Sequence, residues 1–186
     1  MAKVAPASSI ITRDSGDSRP VLATYELWRN LSISARDAYS WLSNTESALM
    51  DMYGHASYEV KPREPLPPHP DDHGLTRFGI TVNEKQTACC CPYTLTVKAT
   101  TTLDPDAQSV AFHSVTSGVE VSHVYAFKAQ PDGGCVANDR VEIRASGCMR
   151  CLGCYVVPTA RKAHARGMDG MVRSLGAASS RSPAQS

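Results

Sequence analysis

The stretch ARKAHARGMDGMVRSL, residues 160–175, decides the fold class because its apolar positions recur at steps of three and four. This spacing places them along one side of an α-helix. The stripe begins slightly before the stretch and consists of Val157, Ala160, His164, Met168, Met171, Val172 and Leu175. A long helix with one apolar side must cover the apolar face of another element. The chain before it therefore has to supply a sheet or further helices.

A second stretch, LSISARDAYSWLSN at residues 31–44, predicts how the chain leaves its first strand. Ser34 followed by Asp37 is typical of a helix N-terminus, and a short apolar stripe comes directly after it. A second short helix is predicted to start at residue 44 or 45 and to stop at Gly54. Two short helices should thus follow the first strand.

Alternation of apolar and polar residues predicts seven strands, one before these helices and six after them. The first lies in VLATYELWRNLSI, and the later six lie in ASYEVKPRE, LTRFGITVNEK, YTLTVKATTTL, QSVAFHSVTSG, VEVSHVYAFKA and CVANDRVEIRASG. Sequential strands joined as hairpins form an antiparallel sheet with one apolar face for the long helix to cover. The predicted fold class is α+β.

This order of elements resembles the helix-grip fold of the START and birch-pollen-allergen superfamily, which includes polyketide cyclases and lipid carriers. The resemblance rests on the element order and on the two stretches at residues 31–44 and 160–175. It implies a curved antiparallel seven-stranded sheet wrapped around the long C-terminal helix, with two short helices after strand 1. It also implies a cavity between sheet and helix that takes an apolar ligand.

The domain limits follow from composition and periodicity. Residues 1–20 are rich in Ser, Ala, Asp and Pro and lack periodicity, which predicts a disordered N-terminal arm. Residues 21–176 form the predicted helix-grip ligand-binding domain. Residues 177–186, a polar and Ser-rich segment, are predicted to be a disordered tail.

The bulk composition excludes several function classes. A formal net charge of +1 over 186 residues gives no basic surface for nucleic acid. No apolar run approaches the roughly 18 residues that a membrane span needs, and the N-terminus lacks the apolar core of a secretory signal. We therefore expect a cytoplasmic protein. In that reducing compartment cysteines stay thiols or bind metal. The resemblance implies that the partner of the protein is a hydrophobic small molecule.

Three residues are predicted to carry acid–base chemistry. His123 and Tyr125 share one face of a strand, and His164 lies on the apolar stripe of the long helix that covers that face. Two imidazoles and a phenol in an apolar cavity are suited to moving a proton at an enolisable ketone. The alternative is that each is a hydrogen-bonded core residue without a catalytic role.

The remaining predicted site residues bind a ligand. Arg29 and Arg77 are predicted to point inward and to anchor a carboxylate or enolate, although a salt bridge at the rim is the alternative for both. The cavity wall is predicted from strand faces and the helix stripe, and consists of Phe78, Tyr93, Leu95, Val121, Phe127 and Met168.

The seven cysteines suggest a possible metal site. Cys148, Cys151 and Cys154 recur at three-residue intervals, a spacing that suits a tetrahedral zinc or an iron–sulfur cluster. The fourth position of the ferredoxin pattern holds Pro158, so a complete site would need a thiolate such as that of Cys90. Cysteines that pack as small hydrophobes, or that form a reversible disulfide or a reactive thiol, are the alternatives. No cofactor is the leading expectation, with zinc or an iron–sulfur cluster as the alternative.

Three functions compete on these observations. The first is a cofactor-independent cyclase, dehydratase or isomerase acting on a hydrophobic polyketide-like molecule. The second is a non-catalytic carrier or sensor of a lipid or other apolar ligand. The third is a metal- or redox-dependent protein that uses the cysteines at residues 89–91 and 148–154.

Overall fold

A computed structural model describes residues 19–67, 74–88 and 91–179. Its elements in chain order are β1 (Val21–Leu31), α1 (Ala35–Ser43), α2 (Thr45–Tyr53), β2 (Tyr58–Val60), β3 (Glu64–Pro65), β4 (Thr76–Ala88), β5 (Cys91–Asp104), β6 (Ser109–Thr116), β7 (Val119–Ala129), β8 (Cys135–Ala145), a 3₁₀ helix (Gly147–Leu152) and α3 (Gly153–Ser179). Across these ranges, no helix is both long enough and apolar enough to cross a membrane.

The strands form one antiparallel sheet in the order β1-β8-β7-β6-β5-β4-β2, with β3 also paired to β4. From β4 to β8 every strand pairs with its neighbour in sequence, as hairpins require. The two-residue turn between β6 and β7 has positive φ angles at both positions, 51° at Ser117 and 80° at Gly118. This geometry matches the right-handed twist of the flanking strands. The sheet packs on α3, which confirms the predicted helix-grip architecture.

The sheet has eight strands where the sequence predicts seven, because the strand predicted in ASYEVKPRE is broken into β2 and β3. Both pieces pair with β4. The Lys61 amide still donates to the Thr81 carbonyl at 2.9 Å. Pro62 follows, and since proline has no N–H the ladder cannot continue through it.

The helix boundaries largely agree with the prediction. The Asp37 amide donates to the Ser34 hydroxyl oxygen at 3.1 Å, which is the predicted N-cap of α1. Gly54, with φ of 95°, ends α2. The predicted tail at residue 177 is wrong at its start, because α3 continues through Ser179. The predicted arm falls almost wholly on residues 1–18, which lie outside the described ranges, as do residues 180–186.

Two glycines let α2 lie directly against α3. A Cβ placed on Gly170 would overlap the backbone of Met52, and one placed on Gly167 would collide with the phenol of Tyr53. Only glycine permits this approach. The contact fixes the C-terminal half of α3 over one end of the sheet.

The inner face of the sheet, which faces α3, differs between its two ends. At what we call the packed end, beside α1, α2 and the C-terminal half of α3, the apolar side chains are buried; they include Phe78, Leu103, Val110, Phe127, Met168 and Met171. At what we call the open end, beside the N-terminal half of α3, the inward side chains of β8 stay buried, but others are only half-buried; these include Leu95, Val97, Val119, Val121 and Val157. Part of the inner face is therefore accessible to solvent at the open end.

Candidate active site

Two histidines share one buried carboxylate at the boundary between the packed and open ends. Nδ1 of His164 lies 2.7 Å from one carboxylate oxygen of Asp139. Nδ1 of His123 lies 3.3 Å from the other oxygen. The Asp139 side chain is 0% exposed, whereas those of His123 and His164 are 15% and 10% exposed. The carboxylate is thus sealed beneath two imidazoles that reach the open end.

Three elements bring this cluster together. Asp139 lies on β8 in phase with the buried Ala137 and Val141, so its side chain points inward. His123 lies on the neighbouring strand β7, directly opposite Val141. His164 descends from α3, and its ring meets that of His123 edge-on with centroids 4.6 Å apart.

The carboxylate sets the tautomer of both histidines. Burial by itself would raise the pKa of Asp139, but the hydrogen bonds from His123 and His164 outweigh burial and lower it. Asp139 is therefore an ionised carboxylate, which can only accept hydrogen bonds. Both Nδ1 atoms must then donate, and each neutral imidazole carries its lone pair on Nε2.

Burial keeps His123 neutral. Desolvation lowers the pKa of His123, and this effect exceeds the opposing pull of the Asp139 carboxylate. The ring lies among aromatic side chains: it stacks on Phe112 at 4.9 Å and meets Tyr125 edge-on at 5.3 Å, centroid to centroid. A neutral imidazole at neutral pH is able to accept a proton.

Tyrosines surround the cluster. The ring of Tyr25 meets that of His164 edge-on at 6.2 Å between centroids. The hydroxyl oxygens of Tyr25 and Tyr125 are buried and make no hydrogen bond of good geometry within the described part of the chain. The Tyr125 hydroxyl nevertheless lies near that of Tyr53, whose ring stacks on Tyr58. Burial, reinforced by the charge of Asp139, raises the pKa of Tyr25 and of Tyr125, so both phenols stay protonated.

Comparison with known proteins gives no sequence relative. No protein-family model matches the chain, and no curated protein matches its sequence. Solved structures do match. The di-domain aromatase/cyclase StfQ from the steffimycin biosynthetic pathway superposes with a TM-score of 0.62 and 11% identity over 86% of this chain and 52% of its own. The chain thus spans about half of that protein.

Two further structures are matched over nearly their full length. The Zhui aromatase/cyclase from Streptomyces sp. R1128 has a TM-score of 0.58 and 11% identity, covering 83% of this chain and 93% of its own. Norcoclaurine synthase from Thalictrum flavum has a TM-score of 0.58 and 13% identity, covering 86% and 96%. The chain has the helix-grip fold.

The helix-grip frame brings the three residues predicted for acid–base chemistry into one cluster. His123 lies between Tyr125 and His164, with ring centroids 5.3 Å and 4.6 Å away. Sequence reasoning missed Asp139 and Tyr25. A signal for Asp139 was present in the sequence, since it alternates in phase with Val141.

The predicted ligand-binding residues divide between three places. Leu95 and Val121 are half-buried inward residues of the open end. Phe78, Phe127 and Met168 are instead buried in the packed end. The Tyr93 side chain lies outside the described part of the structure.

The two arginines are not placed as predicted anion anchors. Nε of Arg29 donates to the Asp169 carboxylate at 2.8 Å, so Arg29 ties β1 to α3 as the predicted alternative of a rim salt bridge. The predicted inward placement of Arg77 is wrong. Side chains alternate along a strand, and Arg77 therefore lies on the face of β4 opposite the buried Phe78.

The structure describes the side chains of only some of the cysteines predicted to form a metal site. Cys151 and Cys154 are exposed free thiols at the junction of the 3₁₀ helix and α3. A Cβ on Gly118 would lie 3.6 Å from the Met149 side chain, so the β6–β7 turn contacts this junction. Cys90 and the side chain of Cys148 lie outside the described residues. Cys135 is buried at the opposite end of the sheet.

Within the described ranges, the group of residues that could hold a metal ion is the histidine–aspartate cluster itself. One ligand atom from each of His123, Asp139 and His164 lies within 4.8 Å of the others. An ion bound there would need one ring nitrogen of each histidine as a ligand, and in the structure both Nδ1 atoms face carboxylate oxygens at hydrogen-bond distance.

The outer face of the sheet carries a separate open groove of about 330 Å³. Its wall includes Gly79, Thr81, Lys98, Thr100, His113 and Val115. Gly79 and Thr81 alternate along β4 with the buried Phe78 and Ile80, so this groove lies across the sheet from the histidine–aspartate cluster. It is not the predicted cavity between sheet and helix.

Proposed function

We propose that the protein is an enzyme that cyclises, dehydrates or isomerises a hydrophobic, polyketide-like ketone by general acid–base catalysis, without an organic cofactor. The substrate enters between α3 and the sheet at the open end. His123 and His164 exchange protons with it, Asp139 orients both imidazoles, and Tyr125 donates a hydrogen bond.

The observation that carries this proposal is the shared carboxylate. A histidine held only for packing does not need an ionised, fully buried partner, because burying a charge is expensive unless it is well hydrogen-bonded. Here one buried carboxylate holds two imidazoles in the tautomer that presents Nε2. Two of the similar solved structures are aromatase/cyclases, which supports the same class of chemistry.

The chemical step follows from the tautomers. Nε2 of one histidine takes a proton from the carbon next to a carbonyl, and the electron pair of that C–H bond forms an enolate. The enolate carbon attacks a second carbonyl of the same molecule, which closes a ring and leaves an alkoxide that takes the proton back from the imidazolium. For dehydration, an imidazole takes a second proton from the same carbon, the electron pair of that C–H bond forms the C=C bond, and the hydroxyl departs as water with a proton from the imidazolium.

The test measures the first proton transfer on a simple ketone. 1-Tetralone has an apolar body and exchangeable protons beside its carbonyl, and their replacement by deuterium in D₂O is followed by NMR. The protein should accelerate this exchange, and the His123→Gln, His164→Gln double variant should lose about 10²- to 10⁴-fold in rate. His55→Gln, at an exposed histidine after α2, is the matched control and should keep the wild-type rate.

The pH profile adds a second readout. Because burial lowers the pKa of His123, the acid limb of the exchange rate should lie below about pH 6.5, the ordinary histidine value. Binding of 1-tetralone without exchange above the buffer rate would support the carrier instead and refute the enzyme.

A second candidate function, a metal-dependent enzyme, is favoured by the three clustered ligand atoms. In that case exchange should disappear on dialysis against EDTA and return with zinc. Exchange that survives EDTA would support acid–base catalysis by the residues alone.

A further inference from the structure

Two thiols at the junction of the 3₁₀ helix and α3 take no part in the proposed function. Cys151 lies in the last turn of the 3₁₀ helix and Cys154 in the first turn of α3, and both are exposed free thiols. Cys135, by contrast, is buried at the opposite end of the sheet, and burial raises the pKa of its thiol. Because thiols react as accessible thiolates, Cys151 and Cys154 are the reactive members of these three.

The helical backbone holds Cys151 and Cys154 at a separation that a disulfide can bridge. Gly153 keeps helical angles between them, with φ of −54° and ψ of −35°, so the 3₁₀ helix passes directly into α3. Residues three apart have Cα atoms about 5 Å apart in an α-helix and about 6 Å apart in a 3₁₀ helix. Disulfides bridge Cα separations of about 4.4–6.8 Å. The two cysteines therefore need only a local adjustment to form a bond.

The turn that carries the two thiols faces the sheet with another residue. A Cβ on Gly153 would lie 3.6 Å from the Leu22 side chain of β1, so Gly153 is on the side of the turn next to the sheet. Cys151 and Cys154 are exposed on the rest of the turn. A bond between them would leave the contact with β1 in place, and a reagent in solution reaches both sulfurs.

The segment around the two thiols is basic. Residues 146–162 contain no Asp or Glu, and their three cations are all exposed; these are Arg150, Arg161 and Lys162. Arg150 directly precedes Cys151, and the other two follow Cys154 after about 10 Å of helix, which is close to the Debye length at 0.1 M salt. Positive charge raises the local concentration of an anionic reagent. The segment therefore favours a thiol reagent that carries negative charge.

We propose that Cys151 and Cys154 form a reversible disulfide by exchange with an anionic low-molecular-weight disulfide of the glutathione type. One protein thiolate attacks a sulfur of that reagent, breaks its S–S bond and forms a mixed disulfide, which releases one glutathione. The second protein thiolate attacks the protein sulfur of the mixed disulfide and releases the second glutathione. The protein loses two electrons and two protons, and the reagent becomes two thiols. This site lies apart from the histidine–aspartate cluster and does not depend on the proposed function.

Tryptic peptides separate the possible disulfides. Trypsin cleaves after arginine, so Cys151 and Cys154 share the peptide of residues 151–161, whereas Cys148 lies on residues 145–150. The full-length protein is treated with glutathione disulfide, and the remaining thiols are blocked with iodoacetamide before digestion. The shared peptide should lose both alkyl labels and be lighter by two hydrogen atoms than the reduced peptide. Treatment with dithiothreitol before blocking should restore both labels.

The variants identify the two partners. Cys148→Ser, in the same 3₁₀ helix, is the matched control and should leave the oxidation of the shared peptide unchanged. At least one of Cys151→Ser and Cys154→Ser should stop at a glutathione adduct on the remaining thiol, because the second nucleophile is missing. A disulfide that joins the shared peptide to any other peptide would overturn the proposal. A stable glutathione adduct in the wild type would also overturn it, since the second thiol would then not reach the first.

Reagents of different charge test the chemistry of the partner. At low ionic strength, glutathione disulfide should oxidise the pair about three- to tenfold faster than cystamine, which is cationic, after each rate is divided by the rate with 2-mercaptoethanol. About 1 M salt, where the Debye length is about 3 Å, should remove most of this preference. Arg150→Gln should reduce it. Equal normalised rates in the wild type would refute an anionic partner.

Discussion

The packed and open ends of the sheet are built from the same strands but differ in how deeply their inward side chains are buried. Along β5, Leu103 is buried against the helices, while Leu95, eight residues away on the same face, is half-buried. Along β7, Phe127 is buried and Val121 is half-buried. The cluster of Asp139 and its histidines lies where one environment changes into the other.

The difference shows how a chain with a single core can keep two histidines partly accessible. Complete burial at the packed end supplies the free energy that holds α3 on the sheet. The open end contributes less to stability and leaves the imidazoles of His123 and His164 partly accessible. Substitutions at the two ends should therefore have different consequences.

The largest expected effect comes from replacing a leucine by alanine at the packed end and at the open end of the sheet. Leu103→Ala should lower the free energy of unfolding by about 2–5 kcal/mol, because it leaves a cavity among buried residues. Leu95→Ala should lower it by only about 1 kcal/mol, since that side chain is half-exposed already. Urea denaturation measures both. Equal losses would mean that the open end is packed as tightly as the other.

A smaller effect is expected from the glycines of α3. Gly170→Ala should lower the free energy of unfolding by about 1–3 kcal/mol, because its methyl group would overlap the Met52 backbone and push α2 outward. Gly176→Ala is the matched control in the same helix, where no atom lies within 4 Å of the new Cβ. It should raise stability by about 0.5–1 kcal/mol through helix propensity. Thermal unfolding of the two variants gives the comparison, and a neutral Gly170→Ala would contradict the close approach of α2 and α3.

The smallest and most gradual effect is that of pH, which acts at the boundary between the ends. The pKa of His123 is lowered in the folded protein. Between this lowered pKa and the ordinary value of about 6.5, the unfolded chain therefore binds a proton that the folded chain does not bind. Stability should therefore fall as pH drops below about 6.5. The lowered pKa of Asp139 adds a further fall below about pH 3.9, the ordinary aspartate value.

Urea midpoints measured between pH 8 and pH 3 report both losses of stability. In His123→Gln the loss that begins at about pH 6.5 should be smaller, and the loss below about pH 3.9 should remain. A wild-type midpoint that stays constant from pH 7 to pH 5 would contradict a buried, neutral His123.

Much of the fold could be predicted because periodicity reports burial directly. The stripe on α3, the Ser34 cap and the alternation along β7 each reflect a local rule. The break between β2 and β3 was missed because the alternation of residues around Pro62 is still typical of a strand. The strand is interrupted there because proline lacks the N–H that a ladder hydrogen bond needs, and a burial pattern does not report this.

The site was predictable only where polar residues interrupt an apolar pattern. His123 and His164 stand out because they occupy apolar positions, and the structure brings them together. Asp139 was missed because its partners come from β7 and α3, and pairing across elements does not show in a local pattern. Arg29 was predicted to bind an anion in the cavity, but it forms an ion pair with Asp169. Because Asp169 lies on α3, a local pattern around Arg29 does not show this pairing.

The glycine contact between α2 and α3 has a consequence for the chemistry itself. An α-helix can slide along a sheet in steps of one turn, about 5.4 Å, with little change in its apolar stripe. Such a step would bring Ala160 or Met168 opposite Asp139 in place of His164. Gly167 and Gly170 provide a notch into which Tyr53 and Met52 fit at one axial position only. Two residues without side chains thus select which residue of α3 is hydrogen-bonded to Asp139.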